Sequence, residues 1–337
     1  MDDDLDEYLD KNLTSKATKA TAEIEAKAEA GDAEAQYQLW NSARFNEKDK
    51  AISWLEKAAE HGLAIAQYKL AVWFQEKEYQ EDSDHEQAAK WLSKSAKQGI
   101  ADAQFRLAVL YSRGSGVKQN DREAAKWYRK AAEQGHSDAQ YEIGVCCMYS
   151  KGVDQDLVQS VEWYRKAAEK GHIEAQYSLG LCYEEGVEGA ADVDYLKSAT
   201  WFAKAAQKGH AAAQWYLGMR YEEGKNADFG GVERNYREAF ACYSYAANQN
   251  DVDGLFSLGM LYSRGLGVPQ NFSEAYFYLS LAVALDIDAD EEFIAARDLA
   301  ATKLSKSEIL KIQDRAAERF DPESRRLDRL DRLRRRL

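Results

Sequence analysis

Proline is almost missing from this chain: Pro269 and Pro322 are the only two in 337 residues. Proline locks φ and lacks an amide donor, so its scarcity leaves long helices uninterrupted. Cysteine is scarce as well. Cys146, Cys147, Cys182 and Cys242 are too few and too unevenly placed to frame the chain with disulfides, which fits a reducing compartment. No stretch approaches the ~18 uninterrupted apolar residues that a membrane-spanning helix needs. The opening MDDDLDEYLD has neither the basic start nor the apolar run of a secretion signal, so a cytoplasmic protein is expected. Positive charge is also short. A net charge of −13 argues against general nucleic-acid binding, which needs a basic face, and points towards protein partners; no DNA or RNA is expected.

What the chain has is repetition. WYRKAAEQGH (127–136) returns as WYRKAAEKGH (163–172), and a helix-ending residue recurs at Gly62, Gly99, Gly135, Gly171, Gly209, Asn250 and Asp286, 36 to 41 residues apart. That period belongs to stacked helical hairpins. Gly31 opens the series, which places seven repeats between about residues 32 and 286. Gly, and after it Asn and Asp, best tolerate the left-handed conformation that ends a helix sharply.

Within a repeat, Ala103, Leu107, Leu110 and Tyr111 share one face of a first helix, and Ala124, Trp127, Tyr128 and Ala131 share one face of a second. Capping boxes are expected at Asp84/Gln87, Asn120/Glu123, Asp156/Gln159, Asn235/Glu238 and Asn271/Glu274. Repeat five has Asp194 but Lys197, and repeat one has neither partner, so their second helices should begin less crisply. Gly144, Gly180, Gly218 and Gly259 recur in mid-helix, where Gly costs about 1 kcal/mol against Ala, which predicts that another backbone passes close by.

These residues resemble the SEL-one-like repeat family, relatives of the tetratricopeptide repeats, over about 255 residues, with Trp54, Trp91, Trp127, Trp163 and Trp201 in register. The resemblance implies an all-α fold, a right-handed superhelical solenoid of antiparallel helix pairs whose first helices line a concave surface, in proteins that mostly act as adaptors. Repeat six departs from the pattern: Cys242 replaces the Trp, as Tyr278 does in repeat seven, and Arg220 stands where Leu110, Cys146, Cys182 or Leu261 stand elsewhere. The expected organisation is an acidic leader and capping helix (1–31), the repeats (32–286), C-terminal capping helices (287–320) and a basic tail (321–337).

Chemistry finds little support. His136, His172 and His210 recur at one position, but equivalent residues on helices stacked ~8–10 Å apart cannot converge on one metal ion, so a surface or capping role is expected. Cys146 and Cys182 align one repeat apart, too far for a disulfide, and read as buried thiols. Ser115-Gly116-Val117-Lys118 spells the S-x-x-K nucleophile motif, but in the repeat's G-x-G-V loop rather than at the start of a helix. Glu184-Glu185 and Glu222-Glu223 read as solvated helix ends. No catalytic residue, metal or cofactor is expected.

A partner should be sought where packing has no reason to diversify residues, on the exposed side of the first helices. There the aligned sets containing Arg106 and Arg113 include Glu142, Tyr149, Glu185, Tyr216 and Glu223, an acidic groove with aromatic anchors suited to a basic peptide or domain, against the alternative of ordinary solvated positions. In the tail, Leu327, Leu330, Leu333 and Leu337 are spaced for one helix face among Arg325, Arg326, Arg329 and Arg332. It could lie on an anionic membrane, dock onto an acidic groove, fold back on its own acidic body or stay solvated, with nucleic acid a lesser option. The favoured reading is a non-enzymatic adaptor; an effector or immunity protein that binds a toxin or host protein, and a β-lactamase-like hydrolase, are the alternatives.

Overall fold

The computed structural model describes residues 21–42, 48–76, 82–224, 233–286 and 290–320. The acidic leader, residues 43–47 between repeat one's helices and the Arg-rich tail lie outside them. Among the described residues the fold is all-α: a helical segment α1 (21–29) is followed by α2 (Ala33–Ser42), α3 (Lys48–Glu60), α4 (Ala64–Glu76), α5 (Asp82–Lys97), α6 (Ala101–Arg113), α7 (Asp121–Glu133), α8 (Ser137–Tyr149) and α9 (Leu157–Glu169). The order continues with α10 (Ile173–Glu185), α11 (Tyr195–Gln207), α12 (Ala211–Glu223), α13 (Tyr236–Asn248), α14 (Val252–Arg264), α15 (Phe272–Leu285), α16 (Glu291–Ala301) and α17 (Lys306–Phe320). The chain forms two compact units, residues 1–163 and 164–337, each a stack of helix pairs. Even-numbered helices up to α14 are the first of each pair.

The helices stop where the glycines predict. Gly31, Gly62, Gly99, Gly135, Gly171 and Gly209 have φ between 88° and 98°, and Asn250 has φ 62°. Asp286 does not follow them: its φ is −71°, and its side chain instead accepts from the amide of Asp290, so it serves the next segment rather than a left-handed turn.

Helix starts are capped by one half of the expected box. Asn120, Asp156, Asn235 and Asn271 accept amide N–H groups of the following turn at 2.8–3.3 Å. The reciprocal bond comes from backbone: the amides of these four residues donate to the carbonyls of Tyr111, Cys147, Tyr221 and Tyr262 at the ends of the first helices. Loops of different length therefore close on the same two anchors, and repeats of unequal length still stack. Repeat five also starts sharply. Asp194 accepts from the Lys197 amide at 2.9 Å, and the Lys197 ammonium, in place of Glu, pairs with the same carboxylate at 3.0 Å. Asp84 is no cap, because α5 begins at Asp82 and carries Asp84 in its first turn, where the helix macrodipole favours carboxylates.

Three of the mid-helix glycines, Gly180, Gly218 and Gly259, make room chiefly for side chains rather than for backbone. A Cβ at Gly180 or Gly218 would come within 2.6 Å of the rings of Phe202 or Tyr243, and one at Gly259 within 2.7 Å of Leu279. The second helix of each pair drives its largest core residue into the gap. Phe202, Tyr243 and Leu279 are consequently among the most buried side chains.

Between neighbouring pairs runs a ladder of buried glutamines. Gln36, Gln67, Gln104, Gln140, Gln176 and Gln214 each donate to a backbone carbonyl eight residues earlier, at 2.8–3.1 Å. Their side-chain carbonyls accept from the residue before the next stop: Gln98 donates to Gln67, Gln134 to Gln104 and Gln249 to Gln214 at 2.7–2.8 Å. The ladder breaks at Gln140, whose Oε1 is buried without a partner, and again at Gln176. Lys208 occupies the donor's place but bonds the Gly171 carbonyl, and Gln176 Oε1 is buried without a partner. Lys208→Gln should therefore stabilise the second unit by about 1 kcal/mol, since a buried acceptor left unsatisfied costs about that much or more. Urea denaturation of both proteins checks this; an unchanged midpoint would show that Gln98's geometry does not carry over.

Candidate functional site

In the first unit, Arg106 on α6 is half-buried, donates to Gln75 Oε1 at 3.0 Å and holds its guanidinium 6.0 Å from the Tyr68 ring. Arg113, one face-turn further on, is exposed. Both border a cleft of about 640 Å³ between the first helices, with Tyr68, Phe105, His85 and His136 among its walls. Glu76, Asp102 and Asp138 also line it, so this end of the surface carries mixed charge. Glu142 on α8 is half-buried; burial raises its carboxyl pKa, while Lys151 and Arg113 act in the opposite sense. Tyr149 is 66% exposed at the end of the same helix.

The recurring histidines are helix caps. Nδ1 of His136, His172 and His210 accepts the amide of Ala139, Ala175 and Ala213 at 3.1–3.3 Å. With Nδ1 accepting, the proton sits on Nε2. That nitrogen faces a carboxylate of the preceding pair, Asp102 for His136 at 3.3 Å and Glu174 for His210 at 3.2 Å. The acidic partner was legible in sequence, since Asp102 and Glu174 each precede their histidine by a near-repeat interval, but only the histidines were singled out. Ser115 and Lys118 lie on the loop between α6 and α7, where with His85 and Glu86 they border a second depression of about 490 Å³. S-x-x-K here opens no helix.

The second unit differs in kind. Tyr177 on α10 and Tyr216 on α12 lie 6.0 Å apart, each half-buried, and Trp215 donates to Ser257 Oγ on α14 at 3.0 Å. This aromatic row is bordered by acid. Burial pushes the Tyr177 phenol up to about 12, with Asp251, Glu174 and Glu185 adding to the effect. Tyr216 is raised chiefly by burial and then by Glu185, Glu184 and Asp253, against the opposing charge of Arg220. Asp253 is itself raised, by burial and by the neighbouring carboxylates Asp251 and Asp286. Glu185 is exposed, and so is Asp253 as a whole residue, although its carboxyl is partly covered. Asp251 and Asp253, which border the row at α14, belong to no set that sequence comparison marked.

Glu223 is turned inward. Its carboxylate lies 2.7 Å from Nη2 of Arg220, whose residue is only 4% exposed, and Glu184 approaches the same nitrogen at 3.2 Å. The odd Arg of repeat six is thus held by two carboxylates and lies 5.1 Å from the Tyr195 ring, so the repeat packs despite the substitution. Glu184 also accepts from Ser198, and Glu222 accepts from the Tyr243 hydroxyl, both at 2.8 Å. Of these helix-end glutamates only Glu185 is free of such an inward bond and exposed. The four tail arginines, Arg325, Arg326, Arg329 and Arg332, lie outside the described residues.

Comparison with known proteins agrees with this architecture. In a search of curated proteins, no sequence matches the chain. A Sel1 repeat protein of Oxalobacter formigenes is 27% identical in a solved structure, covering 81% of this chain and 89% of that one with a TM-score of 0.50. A putative Sel1 repeat protein of Klebsiella pneumoniae is 24% identical over 62% of this chain and 98% of that one (TM-score 0.38), and the immunity protein Pa5087 of Pseudomonas aeruginosa is 19% identical over 74% and 86% (TM-score 0.36). The Sel1 repeat matches residues 46–63, 64–100, 101–136, 137–172, 173–210, 211–251 and 252–286. The breaks between these matches fall at the same turns that end the second helices, and with seven copies across most of its length the chain belongs to the Sel1 repeat family.

Proposed function

We propose that this chain is a non-enzymatic scaffold that binds a basic segment of a partner protein on the first-helix face of its second unit. Sel1 repeat proteins generally mediate protein–protein interaction, and the finer assignment rests on one observation. Tyr177 and Tyr216 form an aromatic row bordered by Glu174, Glu185, Asp251 and Asp253. Carboxylates gathered at one face attract an incoming cation, and the tyrosine rings, each backed by a stacked ring (His210 behind Tyr177, Phe202 behind Tyr216), hold the guanidinium or aliphatic stem of such a residue at about 0.5–2 kcal/mol each. Arg106, Arg113, Glu142 and Tyr149 make a separate, mixed-charge candidate surface on the first unit in this proposal.

The test is affinity capture from the native host with the full chain beside E185K/D253K. Both residues are exposed, so the variant should melt with the wild type. Loss of the principal captured protein is expected; recovery of the same proteins in the same amounts would overturn the assignment to this face.

A further inference from the structure

The same face has a basic segment within reach on its own chain. Residues 321–337 follow directly on α17, and from Arg325 to Leu337 they carry seven Arg against two Asp. The structure places the end of the helix that precedes this segment. Near the end of α17, Arg319 Nη2 donates to the carbonyl of Ala247 at 2.7 Å, which sets that end beside the turn between α13 and α14. Four residues beyond Ala247 comes Asp251, and then Asp253, the acidic border of the aromatic row. α17 is held in this position by more than one bond: Arg315 pairs with Glu274 at 2.6 Å and its guanidinium lies 3.8 Å from the Phe277 ring, while Ile312 and Ala316 are buried.

Reach is sufficient. Seventeen residues (321–337) extend to about 56 Å, or about 25 Å if helical, whereas α14, α12 and α10 at roughly 10 Å spacing span about 20 Å. The chemistry also matches. Leu327, Leu330 and Leu333 alternate with arginines in the segment, as the tyrosines alternate with carboxylates on the face.

We propose that residues 321–337 occupy the Tyr177–Tyr216 face in cis, as an internal occupant that a protein partner's basic segment must displace. The inference rests on the preceding reading of that face. It makes the scaffold self-limiting: a weak basic ligand is excluded, and only a partner that outcompetes a tethered segment binds. A tether of this length holds its segment at an effective concentration of about 1 mM, so a segment that binds in trans with a Kd near 100 μM weakens any competitor about tenfold.

The probe is a fluorescein-labelled synthetic peptide of residues 321–337, titrated by anisotropy onto the full chain and onto a full-length R325Q/R326Q/R329Q/R332Q variant. The variant should bind the probe about tenfold more tightly than the wild type, and E185K/D253K added to it should remove at least that gain. Equal affinity for wild type and variant would overturn occupation in cis while leaving the face as a basic-peptide site. Absence of binding to the variant, or binding indifferent to E185K/D253K, would overturn both. Sedimentation equilibrium in the same buffers separates the remaining case: a wild-type dimer that becomes a monomer in the variant places the segment on a second copy and overturns the cis arrangement.

Discussion

Gly116→Ala is expected to destabilise the first unit by about 3 kcal/mol or more, combining the cost of a left-handed non-glycine residue with that of forced overpacking. Gly116 has φ 66°, and a Cβ there would stand 2.1 Å from the carbonyl oxygen of His85 and 2.3 Å from its carbon. Those are backbone atoms in the second helix of the preceding repeat, so no rotamer change relieves the overlap. Gly152 meets Asp121 and Gly267 meets Tyr236 in the same way. The loop of each of these repeats is therefore seated directly on the repeat before it. Gly99→Ala is the matched control, with φ 98° and nothing within 4 Å of the added carbon. It should cost about 1–2 kcal/mol, from backbone conformation alone. Repeat arrays lose strict two-state behaviour, so hydrogen exchange across 82–133 is a better readout than a single melting curve. Equal effects at the two glycines would show that the loops do not interlock.

Arg220→Ala is expected to destabilise the second unit by about 3–5 kcal/mol, because it leaves Glu184 and Glu223 buried or half-buried without their cation. Glu184 is 11% exposed and would retain only the Ser198 hydroxyl as a donor. The ion pair is an imperfect solution, however. Arg220 Nε and Nη1 are buried without an acceptor, so part of the guanidinium's lost hydration is never replaced. The double variant E184Q/R220M should consequently lose less than the sum of its two single changes, since neutralising Glu184 removes its need for a cation while the more exposed Glu223 keeps access to water. Such non-additivity is the signature of direct coupling. Chemical denaturation of the two single variants and the double variant measures it, and additive losses would mean that Arg220 acts through packing alone.

These two variants mark the limit of what repetition reveals. A residue that recurs at a fixed interval announces a shared structural duty, and the stop glycines, the capping Asn and Asp, the aligned Trp and the capping histidines were all legible for that reason. Their partners were less so. The mid-helix glycines recur visibly, yet only packing shows that Gly180 receives the Phe202 ring rather than a neighbouring backbone. Likewise the aligned Trp of the second helix carries a lysine ammonium over its ring: Lys57, Lys94, Lys130 and Lys204 lie 3.7–4.4 Å over Trp54, Trp91, Trp127 and Trp201. A lysine three residues after a tryptophan on one helix is within reach of its ring, and the regularity was present in the sequence.

The candidate surface was the hardest part to read. Sequence comparison finds positions that vary but not where their charges go. Glu223 and Glu185 are adjacent-repeat equivalents, and one is spent on a buried arginine while the other faces solvent. Asp251 and Asp253 were overlooked because one belongs to a turn and the other to a position that is acidic in several repeats.

By itself the sequence determined the family, the helix pairs and their ends, because those depend on local conformation and on a period repeated seven times. Tertiary structure decided which loops interlock, which charges are buried and which carboxylates gather around Tyr177 and Tyr216. These depend on distances between residues 30 to 80 apart along the chain, which a repeat period constrains only on average and single substitutions such as Arg220 can redirect.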